Sequence, residues 1–190
     1  MTARDNALGS ALLAIAREAI ASAIGAPVSD HPSIDAAVSE RLEAPGATFV
    51  TLTMNDRLRG CIGSLVAHRP LGEDVAKNAV AAATADPRFM PLAATELASV
   101  SLSVSLLTAP HALDYNGSEA GAIAAMRPGI DGIVLRQGNK RATFLPQVWE
   151  ELADPAEFLR HLRAKAGIDT VSWPEGVTLE RYEVRKWADK

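Results

Sequence analysis

The residues best suited to chemistry are concentrated in one stretch, residues 58–65, which reads LRGCIGSL. This stretch holds the only cysteine of the 190-residue chain, Cys61, flanked by glycines and two positions after Arg59. The thiolate is the nucleophilic form of cysteine, and a nearby cation favours that form. We therefore predict that Cys61 is catalytic and that Arg59 stabilises its thiolate or binds an anionic substrate. The alternative is that Cys61 only packs, since free cysteine is among the most buried residue types.

The two glycines of this stretch, Gly60 and Gly63, are predicted to line a substrate site. A residue without a side chain lets a ligand or another backbone approach a strand closely. The same glycines fit two structural alternatives, a β-bulge or a helix packed tightly over the strand. The sequence leaves these alternatives open.

Two residues outside the stretch are predicted to bind substrate as well. Arg88 follows a helix-terminating proline in the segment 86–89, DPRF, where a constrained guanidinium could bind a carboxylate or phosphate. Its structural alternative is an ion pair with Asp86 or Glu96. Gln147 follows a proline at the end of a predicted strand, a common location for residues of a pocket.

The histidines give no clear catalytic base and no metal site. No two of them have a metal-ligand spacing, so we predict neither a metal nor another cofactor. His31 and His68 lie in predicted loops, and either could act as a base for Cys61. His161 lies on a charged helix and is predicted to face solvent.

The composition is typical of a soluble globular protein, with 48% hydrophobic and 22% charged residues. The formal charge of −4 argues against nucleic-acid binding, which depends on an excess of Lys and Arg. A single cysteine excludes an intrachain disulfide framework. We find no stretch of about 20 apolar residues that would span a bilayer, and the N-terminal segment has the pattern of an amphipathic helix. The expected location is therefore the cytoplasm, without membrane attachment.

A β-hairpin over residues 48–65 is expected to position the cysteine, with its turn at Asn55-Asp56. Side chains alternate across a strand, so Arg59, Cys61 and Gly63 are predicted to share one face. Leu58 and Ile62 would lie on the other face, towards the core.

The other patterns predict helices and further strands. Apolar residues recur at helical spacing over 7–25 and again after Arg69-Pro70, where Glu73, Asp74 and Lys77 are predicted to point outward. Further elements are expected as a strand over 100–107, a short helix over 118–126, a hairpin over 132–145, a helix beginning at Asp154-Pro155 and a final strand over 177–187. Hairpins and helices are interspersed without regular βαβ alternation, so the predicted class is α+β, with a largely antiparallel sheet and flanking helices in one domain over residues 1–190.

Several of these segments together resemble one family. The octapeptide matches the LRGCIG signature of the AMMECR family, whose bacterial and archaeal members are called AmmeMemoRadiSam system protein A. The resemblance continues in order through DPRF at 86–89, VSLL at 104–107, GIVL at 132–135, ATFLPQVW at 142–149, KAG at 165–167 and Trp173. One departure is Asn55-Asp56, where the family often has an Asn-Gly type of turn.

The resemblance implies a fold with a larger and a smaller lobe that enclose a cleft, and a site at Arg59, Cys61, Arg88 and Gln147. It also implies a cytoplasmic protein that acts with a Memo-like protein and a radical-SAM protein, and it supplies no reaction. Two functions fit these residues. The first is a cysteine-dependent enzyme; the alternative is a non-catalytic module that binds a small anionic molecule or a partner.

Overall fold

Hydrophobic patterning accounts for most of the secondary structure in the computed structural model, which describes residues 3–28, 34–169 and 171–189. The fold is α+β, as predicted, and its residues divide into two compact units. The first comprises Met1–Leu107 with Arg185–Lys190, and the second comprises Thr108–Val184. The cleft implied by the family resemblance stays a prediction.

Among the described residues, the first unit contains three α-helices, one 3-10 helix and most of the strands. Its elements are α1 (Ala3–Ile24), α2 (Ala36–Glu43), β1 (Pro45–Gly46), β2 (Thr48–Met54), β3 (Arg57–Gly63), β4 (Arg69–Pro70), α3 (Leu71–Thr84), a 3-10 helix (Ala94–Ser99) and β5 (Ser101–Leu107). The chain returns to this unit with its last strand, and a four-stranded sheet results in the order last strand, β5, β2, β3. Strand β3, which carries the cysteine, therefore lies at an edge.

The core of the first unit lies between this sheet and the helices. Leu12, Ala16 and Ile20 of α1 pack with residues of α3, and both sets contact the inward side chains of the sheet. On β2 those inward side chains are Val50 and Leu52, which are fully buried. Because side chains alternate along a strand, the threonines of β2 at 51 and 53 point to the opposite face.

Helix α1 differs from the sequence prediction in one respect. Its segment from Asp5 to Ile24 is long and apolar enough to cross a membrane by length and composition, although no such stretch was expected. The core helix of a soluble protein passes the same test, and 39% of that stretch is buried within the structure. Trp187 packs on this helix at Gly9, where an added Cβ would lie 2.2 Å from the indole ring.

The second unit has its own sheet and core. Its elements are β6 (His111–Ala112), α4 (Glu119–Ala125), β7 (Gly132–Gln137), β8 (Lys140–Phe144), a 3-10 helix (Pro146–Glu150), α5 (Pro155–Lys165) and β9 (Thr178–Tyr182). The sheet order is β6-β9-β7-β8, with antiparallel pairing throughout. Phe158, Leu159 and Leu162 form the buried stripe of α5, as its sequence predicts.

Two sequence predictions about these elements are wrong. The single final strand over 177–187 is two strands, β9 and β10 (Val184–Ala188), which belong to different sheets. Asp74 does not point outward from α3, because it is fully buried and hydrogen-bonded to neighbouring strands. The predicted polar turn at 29–33, with His31, lies outside the described residues.

Candidate functional site

Cys61 lies on the polar face of the first sheet, opposite the helices. Its cross-strand partner is Thr51, and directly opposed residues of an antiparallel pair share a face. The Cys61 Sγ lies 3.3 Å from Thr51 Oγ1, within hydrogen-bonding distance for sulfur. Ser103 of β5 is the partner of Thr51 on its other side. The thiol is half-buried, so the structure does not place it in the core as the packing alternative requires.

The register of this hairpin contains an extra residue that the sequence did not reveal. Leu52 pairs with Gly60 and Thr53 pairs with Leu58, so Arg59 is the unpaired residue of a β-bulge. The bulge puts Leu58 on the same face as Cys61. The prediction that Leu58 faces the core is therefore wrong, and its exposed fraction of 42% agrees with this. The shared face predicted for Arg59 and Cys61 also loses its basis, because it assumed uninterrupted alternation.

The open edge of β3 at Cys61 is covered by two side chains. The Cys61 N–H donates to Asp86 Oδ2 at 2.8 Å, and the Cys61 carbonyl accepts from Arg88 Nη2 at 3.2 Å. Both main-chain groups therefore have partners, as a neighbouring strand would provide. Unpaired strand edges are commonly protected in this way against adding a foreign strand.

Asp86 and Arg88 form a bidentate ion pair, so the structural alternative for Arg88 is confirmed. Arg88 Nε donates to Asp86 Oδ1 at 2.9 Å and Nη2 donates to Oδ2 at 2.7 Å. The Arg88 hydrogen bond, followed by that from Cys61, holds the pKa of the Asp86 carboxyl far below its usual range. The pKa of Arg88 is raised by its hydrogen bond to Asp86, and attraction to the charge of Cys61 adds to this.

The two members of this pair differ in exposure. The Asp86 side chain is 2% exposed, whereas that of Arg88 is 53% exposed. The guanidinium is therefore held in one orientation by a buried carboxylate and is still accessible to solvent. An oriented, exposed guanidinium is well suited to bind a carboxylate or phosphate.

Arg59 has different partners from those predicted. Its Nε and Nη2 each donate to the Glu96 carboxylate at 3.1 Å, and its Nη1 donates to the Met90 carbonyl at 2.9 Å. The Arg59 hydrogen bonds lower the pKa of Glu96. Arg59 therefore fastens the 90–96 loop to β3. It also lines a cavity of about 430 Å³ at the hairpin tip, which Cys61 does not line.

The two glycines of the motif have distinct surroundings. Gly60 is buried against α3, where an added Cβ would lie 2.1 Å from the Ala82 carbonyl oxygen. The helix-packing alternative is thus what the structure shows for Gly60. Gly63 is covered by the ring of Phe49, 2.3 Å from an added Cβ. Neither glycine contacts open space on the side where a side chain would project.

A buried polar network holds the end of the motif to α3. The Asp74 carboxylate accepts hydrogen bonds from the main-chain N–H of Thr48 at 2.8 Å, from Ser64 Oγ at 2.8 Å and from Arg69 Nε at 2.9 Å. Asn78 Nδ2 donates to the same carboxylate at 2.9 Å. Sequence reasoning missed this network, because an acidic residue in the first turn of a helix usually faces solvent.

The remaining predicted site residues are not brought to Cys61 by any described contact. Gln147 is exposed in the second unit, and its neighbour Trp149 is a core residue stacked on Phe158. His68 Nδ1 lies 2.8 Å from the Val66 carbonyl oxygen, and His161 is exposed as predicted. Among residues 3–28, 34–169 and 171–189, no histidine hydrogen-bonds the Cys61 thiol and no acidic, histidine or cysteine cluster could hold a metal ion.

Two residues of the site, Thr51 and Asp86, were not predicted to act there. A two-residue turn at Asn55-Asp56, with φ of 50° and 59°, would place Thr51 opposite Gly60 in a regular hairpin. Only the bulge shifts Thr51 to Cys61. Asp86 was considered as a partner of Arg88, but its bond to the Cys61 main chain has no signal in the sequence.

Comparisons with known proteins agree with this fold and motif. Residues 13–187 match the AMMECR1 family model. A protein of Aeropyrum pernix is 35% identical over 191 residues, which cover 97% of this chain and 80% of that protein. A protein of Methanothermobacter thermautotrophicus is 40% identical over 121 residues. That match spans 63% of this chain and 62% of the relative, which is less than two thirds of either.

A solved structure is also similar. The crystal structure of the uncharacterized protein PH0010 from Pyrococcus horikoshii matches with a TM-score of 0.79 and 29% sequence identity. The match covers 96% of this chain and 92% of that one.

Proposed function

The chain belongs to the AMMECR1 family, and we propose that it binds a small anionic ligand on the polar sheet face at Cys61, with Arg88 as the cation that recognises it. The observation that carries this proposal is the Asp86–Arg88 pair, in which a buried carboxylate fixes an exposed guanidinium beside the cysteine. The Thr51 hydroxyl, at 3.3 Å from the thiol, supplies a further polar group on the same face.

Charge-dependent alkylation of Cys61 tests this proposal. Iodoacetate is an anion and iodoacetamide is neutral, and both react with the thiolate of the single cysteine. The ratio of their second-order rate constants therefore reports the local charge and does not depend on the fraction of thiolate. Two unit charges about 4 Å apart interact by ~1 kcal/mol in water, which corresponds to about a five-fold change in rate.

We expect the native protein to have an iodoacetate-to-iodoacetamide ratio several-fold above that of a small neutral thiol. Arg88→Gln should lower the ratio towards that reference, with folding checked by circular dichroism. A native ratio equal to the reference, unchanged by Arg88→Gln, would contradict anion binding at this face.

The second candidate function is covalent catalysis by Cys61. The 3.3 Å approach of Cys61 Sγ to Thr51 Oγ1 and the Arg88 guanidinium at the Cys61 carbonyl favour it, since an activated thiol needs a polar, cationic environment. The two functions differ in their response to mutation in cells. Cys61→Ser would abolish a catalytic function, whereas a binding module would keep its function and lose it only with Arg88→Ala.

We further propose that the protein acts in the cytoplasm with a Memo-like and a radical-SAM protein. The family resemblance supports this assignment, and the packing of α1 in the core supports a location in solution. Affinity purification from the native host should recover both proteins, and fractionation should leave the chain in the supernatant. Recovery of neither partner, or sedimentation with membranes, would overturn the corresponding part of the proposal.

A further inference from the structure

The Asp86 carboxylate joins the two groups on which the proposed ligand site depends. It accepts the Cys61 N–H at 2.8 Å, the Arg88 main-chain N–H at 3.1 Å, and both Nε and Nη2 of the Arg88 side chain. All these donors converge on one carboxylate that is almost fully buried. The carboxylate is thus the shared anchor of the β3 edge and of the guanidinium.

The charge of Asp86 and its geometry should affect an anionic ligand in opposite directions. A carboxylate near the thiol repels an anion, so its negative charge alone weakens anion binding. Its hydrogen bonds, however, fix an arginine that would otherwise move among many rotamers, since arginine has large side-chain entropy. A released Arg88, with more than half of its side chain exposed, would spend much of its time away from Cys61.

We propose that Asp86 is a positioning residue of the site, which acts through Arg88 by aiming its guanidinium at the Cys61 face. This inference rests on the proposed anion binding at that face. It adds that binding depends on how Asp86 holds the Arg88 side chain. Asp86 itself contacts no ligand, because its oxygens are occupied by the Cys61 main chain and by Arg88.

The direction in which the alkylation ratio changes distinguishes a positioning role of Asp86 from an effect of its charge. In the full-length chain, Asp86→Asn removes the negative charge and disrupts the bidentate pair. If Asp86 positions Arg88, the iodoacetate-to-iodoacetamide ratio at Cys61 falls below that of the native protein, towards that of Arg88→Gln, although loss of the carboxylate charge alone would raise it. If Asp86 acts only through its charge or only supports the fold, the ratio rises or stays unchanged, and the inference is overturned.

A double variant shows whether Asp86 acts through Arg88. The ratio for Asp86→Asn combined with Arg88→Gln should be no lower than that of Arg88→Gln alone, because Arg88 is no longer there to be misplaced and loss of the carboxylate charge can only raise the ratio. An additional fall in the double variant would contradict this. Asp56→Asn is the matched control. It makes the same substitution at an exposed turn of the hairpin that carries Cys61, and it should leave the ratio unchanged.

The outcomes for the Asp86 and Arg88 variants distinguish failure of the positioning role from failure of the anion site. If Asp86→Asn does not fold, Asp86→Ser is a smaller neutral substitute that also lacks the bidentate pair, and a fall in ratio is expected from it as well. A native ratio at the reference value that Arg88→Gln leaves unchanged would reject the proposed anion site itself. A fall with Arg88→Gln but not with either Asp86 variant would reject only the positioning role.

Discussion

At the scale of single residues, the site is defined by what each charged side chain contacts. Of the two arginines predicted to belong to the site, Arg59 binds Glu96 and the carbonyls of Met90 and Pro91, and Arg88 binds Asp86 and the cysteine main chain. The sequence identified both arginines and offered Asp86 as a partner of Arg88, but it gave neither the Glu96 partner of Arg59 nor the contact of Arg88 with the Cys61 main chain. Short-range spacing shows which residues are near in the chain, whereas these ion pairs depend on where the 86–96 loop crosses the strand edge.

Asp86 should make stability depend on pH in the acid range. Its folded-state pKa lies below the ordinary value of 3.8, so its stabilising effect is complete above that value and is lost as the pH falls through the folded-state pKa. We expect the difference in unfolding free energy between the native protein and Asp86→Asn to shrink as the pH is lowered from neutral to about 2. Urea unfolding followed by circular dichroism at several pH values measures this. A difference that stays constant down to the lowest pH would contradict the ionised state of this carboxylate.

At the scale of elements, sequence patterns predicted most of the helices and strands that position the site. The alternation of Ser with Leu and Val was sufficient to predict β5, and the Asn55-Asp56 turn was sufficient to predict the hairpin that contains β3. Both signals are local properties of the sequence. The bulge at Arg59 was not predictable in this way. The bulge adds one residue to β3, and no residue type in the sequence marks its position. It also changes which side chains share a face with the cysteine.

The close packing of α3 on β3 requires a glycine at position 60. Gly60→Ala would put a Cβ 2.1 Å from a main-chain carbonyl oxygen of α3, so the helix must move away from the strand. Overpacking of this kind costs about 1–3 kcal/mol, and we expect at least that loss in urea unfolding.

Gly72→Ala, in the first turn of α3, is the matched control for that substitution. Its added Cβ meets its nearest neighbours at 3.7 Å, an ordinary contact. Alanine favours a helix over glycine by about 0.5–1 kcal/mol, so this variant should be neutral or slightly more stable. Equal destabilisation by both variants would show that contact with α3 is not the reason for Gly60.

The Asp74 network should contribute strongly to the attachment of α3 to the strands. Asp74→Ala removes the acceptor for Thr48, Ser64, Arg69 and Asn78 and leaves their donors without it in a buried site. Removing one partner of a buried ionic network costs about 3–5 kcal/mol. A loss of less than about 1 kcal/mol, the range of exposed ion pairs, would mean that solvent replaces the carboxylate.

At the scale of the whole molecule, the chain forms two units with separate cores. The final segment is shared between them, with β9 in one sheet and β10 in the other. The apolar residues of this segment stand at 177, 179, 182, 184 and 187, so their alternation changes phase after Leu179. The prediction of one strand over 177–187 did not take that change into account. The fold class was predictable from local patterns, whereas the assignment of strands to sheets depends on contacts distant in sequence.

The second core should depend on the buried stripe of α5. Phe158 is fully buried, stacks on Trp149 with ring centroids 3.7 Å apart and contacts Phe144 edge-on. Phe158→Ala should cost about 3–5 kcal/mol and raise hydrogen exchange in 108–184. His161→Ala, on the exposed face of the same helix, should change exchange little; an equal effect of both variants would contradict this packing.

The most direct test of the anion site is the alkylation ratio of Cys61 across a graded series at Arg88. Arg88→Lys keeps the charge but loses the bidentate fork, and Arg88→Gln loses both. The ratio of iodoacetate to iodoacetamide rate constants should be highest in the native protein, lower with Lys and lowest with Gln. The same ratio in all three proteins would contradict the account, because it would mean that Arg88 does not act at the face that carries Cys61.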